Sequence, residues 1–440
     1  MGPPQHPPKQ FLFVLWAGGG NVPPQLALAR RLIERGHRVS VLAPHVLKPA
    51  IETAGCAFLP LRAAPDHNSA SQSDDPLKDW DTRTPIEAAA RVRDNLIFGT
   101  AQAYYSDVTA AIDAARPDVI ATDYLLLGAY VAAERAHLPL AALVHTVYPL
   151  PAPGMPPYGM GFQPAKGVLG RARDALFAQI FQRFYNARLE DLNRVRAHAG
   201  LAPLTSAFQQ FYGASRLLVL TSPAFDFPAT SLPANVRYVG PQIDDPAWGQ
   251  AWTMPITLDE RRPLVLVSLS TTYQRQEDVL RRVIAALADL PVQGLVTLGP
   301  ALNQQDFALP PNVIAETYIP HTLVCPRADV VVTHGGLGTI TAALAYGKPL
   351  VCIPMGRDQG DNAARVTYRG AGVICSRKAS AEQLRQAIRR TLEEPSFRQS
   401  AQRLAADIAR DGGPTVAIEE MERLAAGAVH APGQAPASSR

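Results

Sequence analysis

The residues whose types and spacing could do chemistry are concentrated in one stretch, Val330 to Val373, which reads VVVTHGGLGTITAALAYGKPLVCIPMGRDQGDNAARVTYRGAGV. A β-branched run ends in His334 and is followed by Gly335, Gly336, Gly338 and Thr339, then by apolar residues at helical spacing. That order is strand, glycine turn, helix start. Free backbone N–H groups and the helix dipole attract an anion there, and glycine lets the backbone come close to it. A second strand over Pro349–Pro354 leads into the polar run Arg357-Asp358-Gln359-Gly360-Asp361-Asn362 and a further helical segment. In an open α/β sheet both polar turns fall at the carboxyl ends of strands, where such sheets bind ligands.

The elements that must position these groups alternate along the whole chain. Phe11–Trp16 is an apolar strand and Ala17–Asn21 a glycine-rich loop. Pro23–Arg35 follows as an amphipathic helix with Leu26, Ala29, Leu32 and Ile33 on one face, and then the strand Arg38–Leu42. Residues 60–82 read as a polar, mobile loop containing a solvated His67. Pro85–Ala115 reads as one helix with Thr84 as N-cap. Strands over Asp118–Thr122 and Leu140–Val144 end in Asp123 and His145, with a helix over Leu125–Ala136 between them. Residues 149–167 are irregular and rich in Pro, Gly, Met and Tyr, as a pocket lining or lid would be, and helical pattern resumes from Leu169 to about Ala199. Arg216–Leu220 and Val236–Val239 are the last strands of this half. Leu264–Ser268, Val292–Leu298, Val313–Ala315 and Val330–Thr333 are strands of the second, with Glu277–Leu290 a helix. Helical segments over Ala381–Leu392, Ser396–Ile408 and Val416–Ala425 close the chain.

The pattern His-Gly-Gly-x-Gly-Thr, with Asp358-Gln359 and Asn362 beginning nineteen residues after Thr339, resembles the donor-binding signature of family 1 glycosyltransferases. These are GT-B enzymes, in the branch of the bacterial macrolide and antibiotic glycosyltransferases and plant UDP-glycosyltransferases. The resemblance runs from about Phe11 to Leu424. It implies an α/β fold of two Rossmann-like domains facing each other across a cleft. The expected division is an acceptor-binding domain over 1–240, a linker over 241–262 and a nucleotide-sugar domain over 263–410, then a helix over 411–430 and a disordered tail over 431–440. By the same resemblance Tyr318 stacks on the nucleobase and the backbone near His321 pairs with its edge. His334, Gly336, Gly338 and Thr339 hold the diphosphate, Thr271 or Thr272 reaches the β-phosphate, and Asp358 and Gln359 bind sugar hydroxyls.

Two positions depart from the family pattern. UDP-using relatives often carry Glu three residues past the Ser/Thr of the glycine turn, where it grips both ribose hydroxyls; here that position is Ala342. A carboxylate aimed at a 2′-OH is wasted on thymidine, so the change tilts the expectation towards a dTDP-sugar, with UDP-sugar open. The second departure is at the base. Family members usually carry Gly-His-Val-x-Pro after the first strand, with that His as general base, whereas this chain reads Gly20-Asn21-Val22-Pro23-Pro24. An amide cannot take a proton near neutral pH. Asn21 is also a favoured N-cap, which gives it a structural role. Asp123 matches the aspartate that pairs with the family histidine. Three readings stand open: Asp123 acts as base directly or through one water with Asn21 orienting the acceptor, His145 on the same rim substitutes, or the acceptor needs no base.

Composition narrows the function classes. With 440 residues and 47% apolar residues the chain can fill two or three domains. A net charge of +4 with no Lys/Arg block argues against nucleic acid as a partner. Cys56, Cys325, Cys352 and Cys375 are widely spaced, with no paired motif, and read as buried free thiols of a reducing compartment. No secretory h-region and no membrane-length apolar stretch is present, so a cytoplasmic protein, monomer or homodimer, is expected. The expected reaction is inverting, metal-independent transfer from a dTDP- or UDP-sugar, with no further cofactor, to a lipophilic small molecule such as a polyketide, macrolide or flavonoid. No Asp-x-Asp metal motif stands at a strand end. The other readings are a non-catalytic nucleotide-sugar-binding helper and another GT-B activity, such as a nucleotide-sugar epimerase or a lipid-directed transferase.

Overall fold

The computed structural model describes residues 7–66, 77–78, 81–244, 252–254, 261–269, 274–299 and 302–427. Among these residues the strands form two parallel sheets. The first contains β1 (Gln10–Val14), β2 (Arg38–Ala43), β3 (Ala57–Pro60), β4 (Val119–Asp123), β5 (Leu140–Val144), β6 (Arg216–Val219) and β7 (Val236–Tyr238), in the order β3-β2-β1-β4-β5-β6-β7. The second contains β8 (Leu264–Ser268), β9 (Gln293–Thr297), β10 (Val313–Glu316), β11 (Val330–Thr333), β12 (Leu350–Cys352) and β13 (Gly372–Ile374), in the order β10-β9-β8-β11-β12-β13.

Continuous apolar strands suit such sheets because helices cover both faces. On β1, Leu12 and Val14 enter one core while Phe11 and Phe13 enter the core on the opposite face. On β11, Val330 and Val332 pack on one side and Val331 on the other. That is the period of two expected of a strand. In each sheet the strand order reverses beside the first strand of its half, between β1 and β4 and between β8 and β11. Those reversals open a crevice at the carboxyl ends of the strands. Asn21, Asp123 and His145 follow or end β1, β4 and β5, three adjacent strands. His334 follows β11, and Asp358 and Gln359 follow β12, which pairs with it.

The helix Gly413–Ala425 returns to the first half. Its Ala417, Ile418, Met421 and Leu424 join the core beneath β1. Arg35 ion-pairs with Glu422 at 2.8 Å and Arg216 with the buried Glu420 at 2.9 Å, which fixes the helix against the first half.

Several expectations need correction. The helix expected over Pro85–Ala115 is Pro85–Val92, one π turn over Arg93–Ile97, and a separate helix Ala101–Ala115. The π turn is held by Arg93, whose guanidinium donates to the Phe184 carbonyl at 2.9 Å and to Asp94 at 2.7 Å. Thr84 caps the first piece as expected, accepting from the Glu87 N–H. The helical run from Leu169 breaks between Gly167–Asn186 and Leu189–His198. The last helix starts at Gly413, three residues before the expected Val416. Short elements too brief for a periodic signal appear at Lys48–Thr53, Ala57–Pro60 and Ala207–Tyr212. The start of the expected mobile loop is anchored: the Asp107 carboxylate accepts from the N–H groups of Arg62, Ala63 and Ala64 at 2.9–3.0 Å. His67, Thr271, Thr272 and the tail 431–440 lie outside the described residues. Cys56, Cys325 and Cys352 are buried free thiols, while Cys375 is half-buried.

Candidate active site

The first-half rim is built around one carboxylate. Asp123 ends β4 with no solvent exposure. Its Oδ2 accepts from Asn21 Nδ2 at 2.9 Å, Gln25 Nε2 at 3.0 Å and Trp16 Nε1 at 3.1 Å. Its Oδ1 accepts from the Leu125 N–H at 3.1 Å. His145 Nδ1 lies 3.2 Å from Oδ2, within ion-pair reach but turned off the line of a hydrogen bond. Burial opposes the Asp123 charge, yet the neighbouring His145 and the hydrogen bonds from Asn21 and Leu125 prevail and hold its pKa below the usual carboxylate value. For His145, burial likewise opposes charge, and Asp123, with a further contribution from Asp358, outweighs it and raises the pKa.

Asn21 stands at the N-cap position of the helix Val22–Glu34, but its side chain caps nothing. The backbone there is already helical, and the amide turns back to Asp123 and to the Trp16 carbonyl, which accepts at 3.0 Å. The capping role expected from sequence therefore gives way to a carboxylate-binding one. Gly18 is needed beside it, because a Cβ there would sit 2.4 Å from the Trp16 ring.

The second-half rim joins the two pieces of the glycine and Asp-Gln stretch. Asn362 Nδ2 donates to the Gly335 carbonyl at 2.9 Å and to Asp358 Oδ2 at 2.8 Å. His334 packs over Gly336, where an added Cβ would lie 2.6 Å from Nε2. Burial foremost, then Arg357 and His321, push the His334 pKa down to about 4, so the ring is neutral at pH 7. Gly336 is the N-cap of the helix Leu337–Ala345, with Thr339 buried in its first turn. Gly338 is exposed and faces open space. His321 Nε2 lies 3.0 Å from Ser268 Oγ, at the start of the short helix His321–Val324, and Tyr318 is half-buried just before it.

Gln359 is buried and its amide is engaged within the protein. Oε1 accepts from the N–H groups of Met355 and Gly356 at 2.7 and 3.1 Å, and Nε2 donates to Gln274 at 2.9 Å. Asp358, half-buried at the helix start, accepts from Asn362 and makes no side-chain cap.

Comparison with known proteins agrees with this arrangement. Residues 281–424 match the family described as erythromycin biosynthesis protein CIII-like, C-terminal domain. The chain is 31% identical over 421 residues to 4'-demethylrebeccamycin synthase of Lentzea aerocolonigenes, covering 92% of this chain and 97% of that protein. The chain belongs to the family 1 glycosyltransferases. It is also 26% identical over 426 residues to demethyllactenocin mycarosyltransferase of Streptomyces fradiae, covering 94% of this chain and 86% of that one. The calicheamicin glycosyltransferase CalG4 superposes with a TM-score of 0.74 at 21% identity, covering 95% of this chain and 98% of that chain. The glycosyltransferase VinC, solved in complex with dTDP, superposes with a TM-score of 0.67 at 21% identity, covering 95% and 100%. The fold is thus GT-B and the protein a glycosyltransferase of the antibiotic and natural-product type, which sets aside the helper reading.

Within this glycosyltransferase, sequence reasoning missed Trp16 and Gln25 as partners of Asp123, and Gln274 and Ser268 as partners of Gln359 and His321. Gln25 had a signal, since it lies one helical turn after Asn21 and shares its face. Asp361 was read only as part of a polar run. Its carboxylate accepts from Gly159 at 2.8 Å and Gly161 at 3.3 Å, tying the irregular segment of the first half to the helix Gln359–Tyr368. No described helix is long and apolar enough to cross a membrane.

Proposed function

We propose that this glycosyltransferase moves a sugar from a nucleoside diphosphate sugar to a lipophilic small molecule, with inversion and without a metal ion. The nucleotide sugar sits on the second half, 263–410, and the acceptor on the first, 1–240. The observation that carries this reading is the direct bond between Asn362 and the Gly335 carbonyl. It sets the Asp-Gln turn beside a helix start whose Gly338 side is open, room for a diphosphate with the sugar next to Asp358. The leaving charge would be met by backbone N–H groups of that turn and by a neutral His334 donating a hydrogen bond. Inversion is supported by Asp123, which is wholly enclosed and engaged and so is unsuited to attack the sugar as a covalent nucleophile.

Ala342 in place of a ribose-binding carboxylate, and the dTDP held by the similar VinC, favour a dTDP-sugar. The irregular segment 149–166 bridges towards the Asp-Gln helix through Asp361 and would close over a flat, apolar acceptor. The test is transfer read by mass spectrometry, with dTDP-glucose and UDP-glucose each offered to phenols, macrolides and amines. A hexose adduct formed faster from dTDP-glucose is expected. Nucleotide binding with no adduct on any acceptor class would sink the reading.

A further inference from the structure

We propose that His145 is the general base of the transfer, supplying from the end of β5 the imidazole that the loop after β1 lacks, with Asp123 as its positioning partner. The assignment rests on the glycosyl-transfer reading above.

The other candidate base, Asp123, fails on geometry. An oxygen has two lone pairs, and Asp123 Oδ2 already faces three N–H donors besides the imidazole, while Oδ1 holds the Leu125 N–H. With no solvent exposure, Asp123 cannot meet an acceptor hydroxyl directly or through a water. Asn21 is a neutral amide that spends its donors on Asp123 and the Trp16 carbonyl.

His145 has what they lack. Its side chain is 14% exposed where that of Asp123 is 0%. The enclosed nitrogen is Nδ1, next to Asp123, whereas Nε2 is not enclosed and has no hydrogen-bond partner among the described residues. The ring leans against Tyr124, with centroids 5.3 Å apart. The charged groups that face it are Asp123 from β4 and Asp358 from the second-half rim. The imidazole therefore contacts the buried carboxylate of the first half and also feels the charge of the carboxylate matched to the sugar, as a base serving both acceptor and anomeric carbon would.

The step balances without a further reagent. A lone pair of the acceptor O or N forms the bond to the anomeric carbon, and the bond from that carbon to the diphosphate oxygen breaks with its electron pair on the leaving nucleotide. The acceptor proton moves to His145 Nε2 and later to water, and Asp123 stabilises the imidazolium. Asn21 fits this arrangement. Imidazoles at both 21 and 145 would compete for one carboxylate, whereas an amide adds a hydrogen bond and no second cation.

The test compares kcat across pH for the parent, His145→Gln, His145→Asn, and His145→Gln combined with Asn21→His. Folding is checked by circular dichroism, and a phenol or amine that the parent glycosylates serves as acceptor. Both single variants are expected to lose about 10²–10⁴-fold in kcat, with little change in KM for the nucleotide sugar and with loss of the acidic limb of the profile. Adding Asn21→His should recover at least about tenfold, because the new imidazole faces the same carboxylate. Folded His145 variants that keep kcat within about threefold and retain the acidic limb would overturn the assignment while leaving glycosyl transfer standing. A loss that Asn21→His does not restore, with the limb unchanged, would overturn it too by making His145 merely structural. A parent that transfers to no acceptor would count against the proposed function itself.

Discussion

The Arg365 guanidinium, on the helix Gln359–Tyr368, donates to Asp226 Oδ1 at 2.6 Å, and both side chains are almost fully out of water. Asp226 belongs to the first half, where its Oδ2 also accepts from the Tyr148 N–H and the Tyr238 hydroxyl. Arg365 stacks on Phe227 with its guanidinium carbon 4.1 Å from the ring centre. A buried ion pair thus locks the Asp-Gln helix to the first half. Arg365→Met keeps the apolar contact but strands a buried carboxylate, and should cost about 3–5 kcal/mol by denaturant unfolding. Adding Asp226→Asn should recover much of that. A single-variant loss below about 1 kcal/mol would mean the pair is not holding the halves together.

Asp361, one turn earlier on that helix, behaves differently with pH. Burial first of all, with Asp358 adding to it, moves its pKa up to about 6 against the opposing Arg365 and the Gly159 and Gly161 N–H groups. A carboxyl whose folded pKa is raised favours the fold most when protonated. Its contribution is fully present below the unfolded value and fades as pH rises through about 6. Asp361→Asn should therefore flatten the stability profile between about pH 4 and pH 6 relative to the parent. Parallel profiles for the two proteins would show that Asp361 titrates normally.

These contacts mark where sequence reading stops. The glycine turn and the Asp-Gln run are legible because each is local and carries its own backbone chemistry, and strands such as β1 and β11 because they are unbroken apolar runs. The Asp226–Arg365 pair joins residues 139 apart, and the Trp16–Asp123 bond residues 107 apart, so no window of sequence contains either. Asn21 shows the subtler failure. Its residue type and place both predict a cap, and only the neighbouring β4 end reveals a carboxylate that binds its amide more usefully. The π turn at Arg93–Ile97 is set by the Phe184 carbonyl on a distant helix, which local periodicity cannot anticipate.

Gly336 and Gly338 separate folding from ligand binding. A methyl at Gly336 would lie 2.6 Å from His334 Nε2, so Gly336→Ala should displace that ring and weaken dTDP binding by at least about tenfold in calorimetry. Gly338→Ala meets nothing within 4 Å in the protein. It should leave the melting temperature unchanged, or raise it slightly because alanine favours a helix, while still weakening dTDP. Unaltered dTDP affinity in Gly338→Ala would place the diphosphate elsewhere.

The enclosure of Asp123 makes the last prediction one about non-additivity. Trp16→Phe removes one N–H from Oδ2 together with the far ring edge that lies over Gly18, while Gln25→Leu removes another from the adjoining helix. Each alone leaves the carboxylate with Asn21 and the Leu125 N–H, so each should cost about 1–3 kcal/mol in unfolding free energy. Together they leave a fully buried charge held only by Asn21, the Leu125 N–H and the neighbouring His145, so its pKa should rise. The double variant should therefore lose at least about 1 kcal/mol more than the sum of the singles. Its loss should shrink as pH is lowered, because protonating Asp123 removes the charge that the amides served. Strict additivity, or a loss that does not respond to pH, would mean that the carboxylate finds other donors once the cage is opened.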